Sequence, residues 1–222
     1  SSVTEHLQTI LADCDLVVGT EEEIHIAGGS TDTLTAVKAI RAASNAAIVV
    51  KRGPLGCVVF PYLNPDDMEK GIVSSGREVE VYNTLGAGDG FMSGFLRGWV
   101  PGESWERCCE LANGAGALVV SRHGCAPAMP DWRELNHYIE HGSPTPKLRN
   151  DATLNRLHRI AGRKRVWDKV CALAFDHRAQ FEEIAHVPGR TNEDIPQFKS
   201  LIGKAARKAI NGDDSGGVKI GR

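Results

Sequence analysis

The chain has 222 residues, 41% hydrophobic and 24% charged, with a formal net charge of −2. Its charges are scattered, which argues against a nucleic-acid partner, because phosphate-backbone binding needs a concentrated positive face. No apolar run approaches the roughly 20 residues that span a bilayer, and residues 1–14 are amphipathic, without the apolar core of a signal peptide. Six cysteines (14, 57, 108, 109, 125 and 171) form no C-x-x-C pair, so reduced thiols and a cytoplasmic setting are expected. The first residue is not Met and the opening already reads as mid-domain structure, which predicts missing N-terminal sequence.

Val3, Leu7, Ile10 and Leu11 share one helical face. Residues 15–19 read as a short buried strand. Residues 31–43, apolar at Leu34, Val37 and Ile40, read as a helix. A strand over 46–51, a turn from Gly53 to Gly56 and a strand over 57–60 follow. This alternation predicts a mostly parallel sheet with helices on its faces. A further strand is expected at 79–81. The glycine-rich turn 86–90 then leads into a helix over 91–99, followed by helices over 105–120 and 131–140. His141 and Gly142 suit the end of the last of these, by dipole and by left-handed conformation. His137 and His141 have the i, i+4 spacing of a metal pair, but no further ligand is evident nearby, and a helix-end pair is the plainer reading.

Beyond residue 142 the texture changes. Residues 142–146 (Gly-Ser-Pro-Thr-Pro) have linker composition. Residues 151–161 read as a polar helix ended by Gly162. Residues 169–175 read as an apolar strand that ends in Asp176-His177-Arg178, with two helical stretches after it. The expected limits are a first domain over 1–142, a linker and helix over 143–165, and the start of a second α/β domain over 166–222. The second is too short for a complete barrel of roughly 250 residues, so truncation is expected at this end too. Asp176 and Arg178 stand where barrel active sites collect, yet a helix cap and a surface arginine explain them as well.

Residues 83–95 carry the chemistry. Gly86 and Gly88 remove side chains where the backbone enters a helix. The first turn of that helix has unpaired N–H groups and a positive dipole end, which together suit a phosphoryl group. The N–H groups of Gly86, Ala87, Gly88 and Asp89 are therefore the candidate anion hole. Asp89 lies in the same turn and could take a proton from a substrate hydroxyl. For an isolated Gly-Ala-Gly-Asp, a tight turn with a dipole-complementing Asp is the commoner explanation. The chain has no G-x-x-x-x-G-K-[ST] loop, and the third glycine of G-x-G-x-x-G is replaced by Phe91.

The whole stretch resembles the C-terminal signature of ribokinase-like (PfkB) sugar kinases, D-T-x-G-A-G-D-x-F-x-x-G. Thr84, Gly86, Ala87, Gly88, Asp89, Phe91 and Gly94 all match it. The resemblance implies Asp89 as catalytic base, ATP and Mg²⁺ as phosphoryl donor and metal, and a small-molecule sugar as acceptor. Many members also hold K⁺, but Asn83 replaces the aspartate that helps to bind it and removes that charge. Residues 49–57 resemble the family's strand and turn beside the nucleotide, which implicates Lys51, Gly53 and Gly56. Residues 20–23 resemble its N-x-x-E motif, with Thr20 in place of Asn, so Glu23 would act on Mg²⁺ through water. Residues 112–124 resemble the helix and loop flanking the adenine, with Asn113 nearest the base; helix packing explains Asn113 equally.

The resemblance covers roughly residues 1–140. It implies the C-terminal half of a three-layer α/β/α ribokinase-like domain, with little of the sugar pocket. Residues 20–29 and 83–99 are most similar to the branch that phosphorylates a keto-sugar acid in inositol catabolism. Residues 170–181 resemble the opening of the aldolase-like DUF2090 domain fused behind that kinase in some bacteria, so the second domain would begin a TIM-barrel-like fold. The sequence carries no claim of aldolase activity for this chain, because a Schiff-base lysine would lie on a later strand; a part of a bifunctional kinase–aldolase is an alternative reading. A non-catalytic nucleotide-binding module is the rival reading. The resemblance leaves homo-oligomerisation open and implies neither a membrane nor a nucleic acid as partner.

Overall fold

A computed structural model describes residues 3–62, 64–161, 179–185 and 191–210. The chain divides into two compact units, Ser1–Gly162 and Arg163–Arg222. The first unit contains, in chain order, α1 (Val3–Leu11), β1 (Leu16–Thr20), α2 (Glu21–Gly28), α3 (Thr33–Ala43), β2 (Ala47–Lys51), β3 (Cys57–Phe60), β4 (Ile72–Ser74), α4 (Ala87–Trp99), α5 (Trp105–Val120), α6 (Trp132–His141) and α7 (Ala152–Ile160).

The four strands lie in the order β1-β2-β3-β4. Only β1 and β2 run parallel; β2–β3 and β3–β4 are antiparallel. The sheet is thus mixed rather than mostly parallel. The reason is the short connection: residues 52–56 return the chain at once, and only a long crossover lets neighbouring strands run parallel. Side-chain alternation sorts the strands into two faces. Ile48, Val50, Val58 and Phe60 pack with Leu11, Ile24, Val37 and Ile40 from α1–α3. Val49, Cys57 and Val59 pack on the other side with Phe91 and Phe95 of α4 and Cys108, Cys109 and Ala112 of α5. Helices therefore cover both faces of the sheet.

A close approach joins α4 to α5. Gly90, Gly94 and Gly98 recur every fourth residue and so share one face of α4. A side-chain carbon added at Gly94 would run into the Leu111 carbonyl on α5. Backbone lies opposite, so the site has no rotamer with which to yield. Gly94→Val is therefore expected to lower stability by about 1–3 kcal/mol or more, the cost of overpacking a filled core. An unchanged urea midpoint would contradict this packing.

Three further expectations differ from what is seen. Residues 79–81 do not form a strand; β4 occupies 72–74 instead. Nearby backbone donors are met by non-strand partners: Glu80 N–H donates to Pro146 O, and Tyr82 and Asn83 N–H both donate to Val120 O at the end of α5. Helix α4 begins at Ala87, not 91, because Gly86 (φ 83°) caps it in the left-handed conformation. The stretch with linker composition is packed onto the first unit: Leu148 and Leu154 are buried with Leu111, Leu118 and Leu135. Ser143 Oγ donates to Asp151 Oδ2 at 2.8 Å, and Asp151 caps α7 by accepting from Thr153 and Leu154 N–H.

The second unit contributes α8 (Ala179–Ala185) and α9 (Ile195–Ile210). Phe181 and Phe198 meet edge-on, with ring centroids 5.7 Å apart. The strand expected at 169–175, with Cys171, Asp176 and Arg178, lies outside the described residues. The described residues of this unit outline no barrel. No helix among the described residues is long and apolar enough to cross a membrane.

Candidate functional site

The start of α4 presents Gly88 and Asp89 at the surface. Ala87 N–H donates to Thr84 O at 3.1 Å, and Gly90 N–H returns to Gly86 O at 2.9 Å. Between them, the N–H groups of Gly88 and Asp89 have no hydrogen-bond partner among the described residues, nor does that of Gly86. Ala87 is thus the one member of the expected anion hole whose amide is engaged within the turn. Three donors remain at the positive end of a 13-residue helix, an arrangement that suits an anion.

Gly86 is held in place from behind. A side-chain carbon there would come within 2.5 Å of Cys125 Sγ, and the backbone is already at positive φ. Asn83 anchors the front of the same turn: its Oδ1 accepts from Leu85 N–H at 3.1 Å, and its Nδ2 donates to Gly124 O at 3.3 Å. Asn83 is thus a structural pin, with its amide oxygen turned to the backbone.

Asp89 is exposed. Its carboxylate enters no hydrogen bond or ion pair among the described residues; only its carbonyl is used, accepting from Ser93 Oγ at 2.8 Å. Lys51, at the end of β2, reaches the same turn. Its Nζ lies 3.5 Å from where a Gly88 side chain would begin, and 3.4 Å from Glu23 Oε2. Glu23, Lys51 and the Gly88–Asp89 turn are therefore brought together from α2, β2 and α4.

Glu23 also has a local role. Its carboxylate accepts from Thr20 N–H at 2.6 Å, while Thr20 Oγ1 accepts from Glu23 N–H, the reciprocal capping box of α2. The Thr20 N–H, and then Lys51, hold the Glu23 carboxyl below its ordinary value of 4.5. A lowered carboxylate stabilises the fold above the unfolded-state pKa, and that contribution fades as pH falls through the folded value. Glu23→Gln is therefore expected to flatten the stability profile below about pH 5 and leave its shape above that unchanged. Urea titrations from pH 3 to 7 check this; parallel profiles would contradict it.

The other predicted residues have local surroundings of their own. Gly53 and Gly56 form the turn between β2 and β3, both at positive φ. Gly53 faces open space, and Gly56 packs against the backbone of 74–76. Asn113 is 8% exposed. Its Nδ2 faces Ser74 Oγ and Ser75 O, each 3.1 Å away, and Ser74 O at 3.4 Å. Its amide group ties α5 to the end of β4, so the packing explanation accounts for where this side chain points. His137 and His141 stack at 4.5 Å on α6, and no group of three or more potential metal ligands occurs among the described residues.

With this geometry in hand, comparison with known proteins is informative. The model of the pfkB family of carbohydrate kinases matches residues 1–132, more than half of the chain. The chain belongs to the pfkB family. A second model, DUF2090, an uncharacterized family conserved in bacteria, matches residues 134–221. The 5-dehydro-2-deoxygluconokinase of Bacillus licheniformis is 30% identical over 136 residues, covering 59% of this chain and 40% of that protein. The Bacillus subtilis protein of the same name is 28% identical over 130 residues, covering 57% and 38%. Arabidopsis thaliana ribokinase, solved with ribose and ATP, superposes with a TM-score of 0.54 at 27% identity, covering 60% of this chain and 43% of that one. The chain thus spans about two fifths of the length of these relatives.

Within the first unit, sequence reasoning missed Cys125 behind Gly86. It also missed a buried cluster near the same loop, formed by Arg122, Glu134 and His158. The one available signal was the Asp131-x-x-Glu134 spacing of a helix start, which marks a cap and says nothing of burial.

Proposed function

We propose that this chain supplies the ATP end of a kinase that phosphorylates a hydroxyl of a sugar or keto-sugar acid. The relatives named 5-dehydro-2-deoxygluconokinase favour the keto-sugar acid and its place in inositol catabolism. The carrying observation is the pair of unpartnered amides at Gly88 and Asp89, set beside an exposed carboxylate and the Lys51 ammonium. Phosphoryl transfer asks a protein mainly for positioning and for charge stabilisation. The helix-start amides and Lys51 bind the transferring group's oxygens. Asp89 receives the proton of the acceptor hydroxyl as its oxygen attacks phosphorus. Mg²⁺ would neutralise charge on the donor phosphates, with Glu23 acting on it through water. Asn83 offers a neutral amide already used by the backbone, so we assign this chain no K⁺ requirement.

The DUF2090 match supports reading residues 166–222 as the opening of an aldolase-like, TIM-barrel-like domain. The five described cysteines are free thiols, which fits a cytoplasmic kinase. The decisive experiment is calorimetric titration of Mg-ATP into the 222-residue chain and its Gly86→Val variant. Saturable binding that weakens at least about tenfold in the variant is expected. A folded wild-type chain that gives no saturable binding overturns the reading.

A further inference from the structure

The last segment of the first unit has a role that its composition and its family match do not suggest. The pfkB model ends at residue 132 and the DUF2090 model begins at 134, yet residues 143–160 pack on the kinase unit at two places that both lead to the phosphate-binding turn. The first is the run just before Asn83. Arg149 Nη2 lies 2.8 Å from Glu80 Oε1, and Lys147 Nζ lies 3.5 Å from Glu80 Oε2. Glu80 N–H donates to Pro146 O at 2.8 Å. The Arg149 guanidinium stands 4.9 Å from the Tyr82 ring centroid, within cation–π reach.

The second place is the loop after α5. His158 Nε2 lies 2.9 Å from Pro127 O. Its Nδ1 lies 2.9 Å from Glu134 Oε2 and 3.0 Å from Arg122 Nη1. Arg122 in turn pairs with Glu134, which is fully buried. This fastens the loop at residues 122 and 127. Between those points Gly124 O accepts from Asn83, and Cys125 Sγ backs Gly86.

We propose that residues 143–160 form a clamp that positions the phosphate-binding turn, with Arg149 and His158 as positioning residues. Arg149 holds the run that enters the turn, and His158 holds the loop that supports it from behind. Neither touches the proposed phosphate site itself. The assignment goes beyond the kinase reading, and only its effect on nucleotide binding rests on that reading.

The test uses the 222-residue chain with His158→Ala, Arg149→Ala and Arg149→Lys. Without nucleotide, hydrogen exchange at the bonded amides of Tyr82, Asn83, Arg122 and Ala128 is expected to quicken about tenfold in both alanine variants, while α1–α3 are unchanged. Mg-ATP affinity is expected to fall about tenfold in both, and Arg149→Lys is expected to restore much of it. The Arg149 variants decide the matter if His158→Ala does not fold. Faster exchange confined to α7, or unchanged Mg-ATP affinity in a chain whose wild type binds, would overturn the clamp. A wild type that binds no Mg-ATP would sink the kinase reading and leave the exchange result to judge the clamp alone.

Discussion

Replacing Asp89 by Asn is expected to slow phosphoryl transfer by roughly 10²–10⁴-fold, the contribution of a positioned general base, while Mg-ATP affinity changes only a few-fold. The expectation follows from separating the two duties of the turn. In the proposed reading, backbone N–H groups bind the phosphates, and Asn leaves them untouched. The carboxylate is assigned the proton transfer, and a carboxamide cannot accept that proton at neutral pH. Because the Asp89 carboxylate makes no hydrogen bond or ion pair among the described residues, its loss should cost the fold little. Rate and affinity should therefore part company. Single-turnover assays in protein that carries the sugar-binding portion of the fold, beside titration of Mg-ATP, check both. Near-normal turnover in Asp89→Asn would remove the assigned role.

Glu134→Ala is expected to cost about 3–5 kcal/mol of stability, the scale for breaking a buried ion pair from one side. Glu134 is fully buried and Arg122 is 8% exposed. Removing the carboxylate leaves the Arg122 guanidinium with no counter-charge in a site that water reaches poorly. Helix α6 also loses its link to His158. Replacing Arg122 and Glu134 together by Met should cost much less, because no unpaired charge remains. Urea unfolding of the single and double variants measures the difference. A single-variant loss below about 1 kcal/mol would mean the cluster behaves as a surface pair.

The parts of this architecture legible in the sequence are those fixed by local rules. Helices α3, α5 and α6 follow apolar periodicity with Asp32, Ser104 and Asp131 as their caps. The Gly86–Asp89 turn was visible because Gly at a helix start has a local reason. What failed to read out depends on distant partners. Residues 79–81 look like a strand, but their neighbours in space are a coil segment at Pro146 and the end of α5. Residues 142–146 look like a linker, yet Leu148 and Leu154 pull the following segment into the core. Asn113 has a side chain suited to a base, and only the fold reveals that its amide faces Ser74 and Ser75. The Arg122–Glu134–His158 cluster joins residues far apart in the chain, for which no spacing rule exists. The ion pair between Glu23 and Lys51 joins two elements for which no spacing rule exists.

The central claim is that the amides opening α4 receive the phosphates of ATP. Amide-resolved NMR of the isotope-labelled chain during Mg-ATP titration tests it directly. The account predicts that the Gly86, Gly88 and Asp89 amide signals shift most, in a saturable way, with Lys51 perturbed alongside them. Saturable binding that leaves these amides unmoved and shifts signals elsewhere would contradict it.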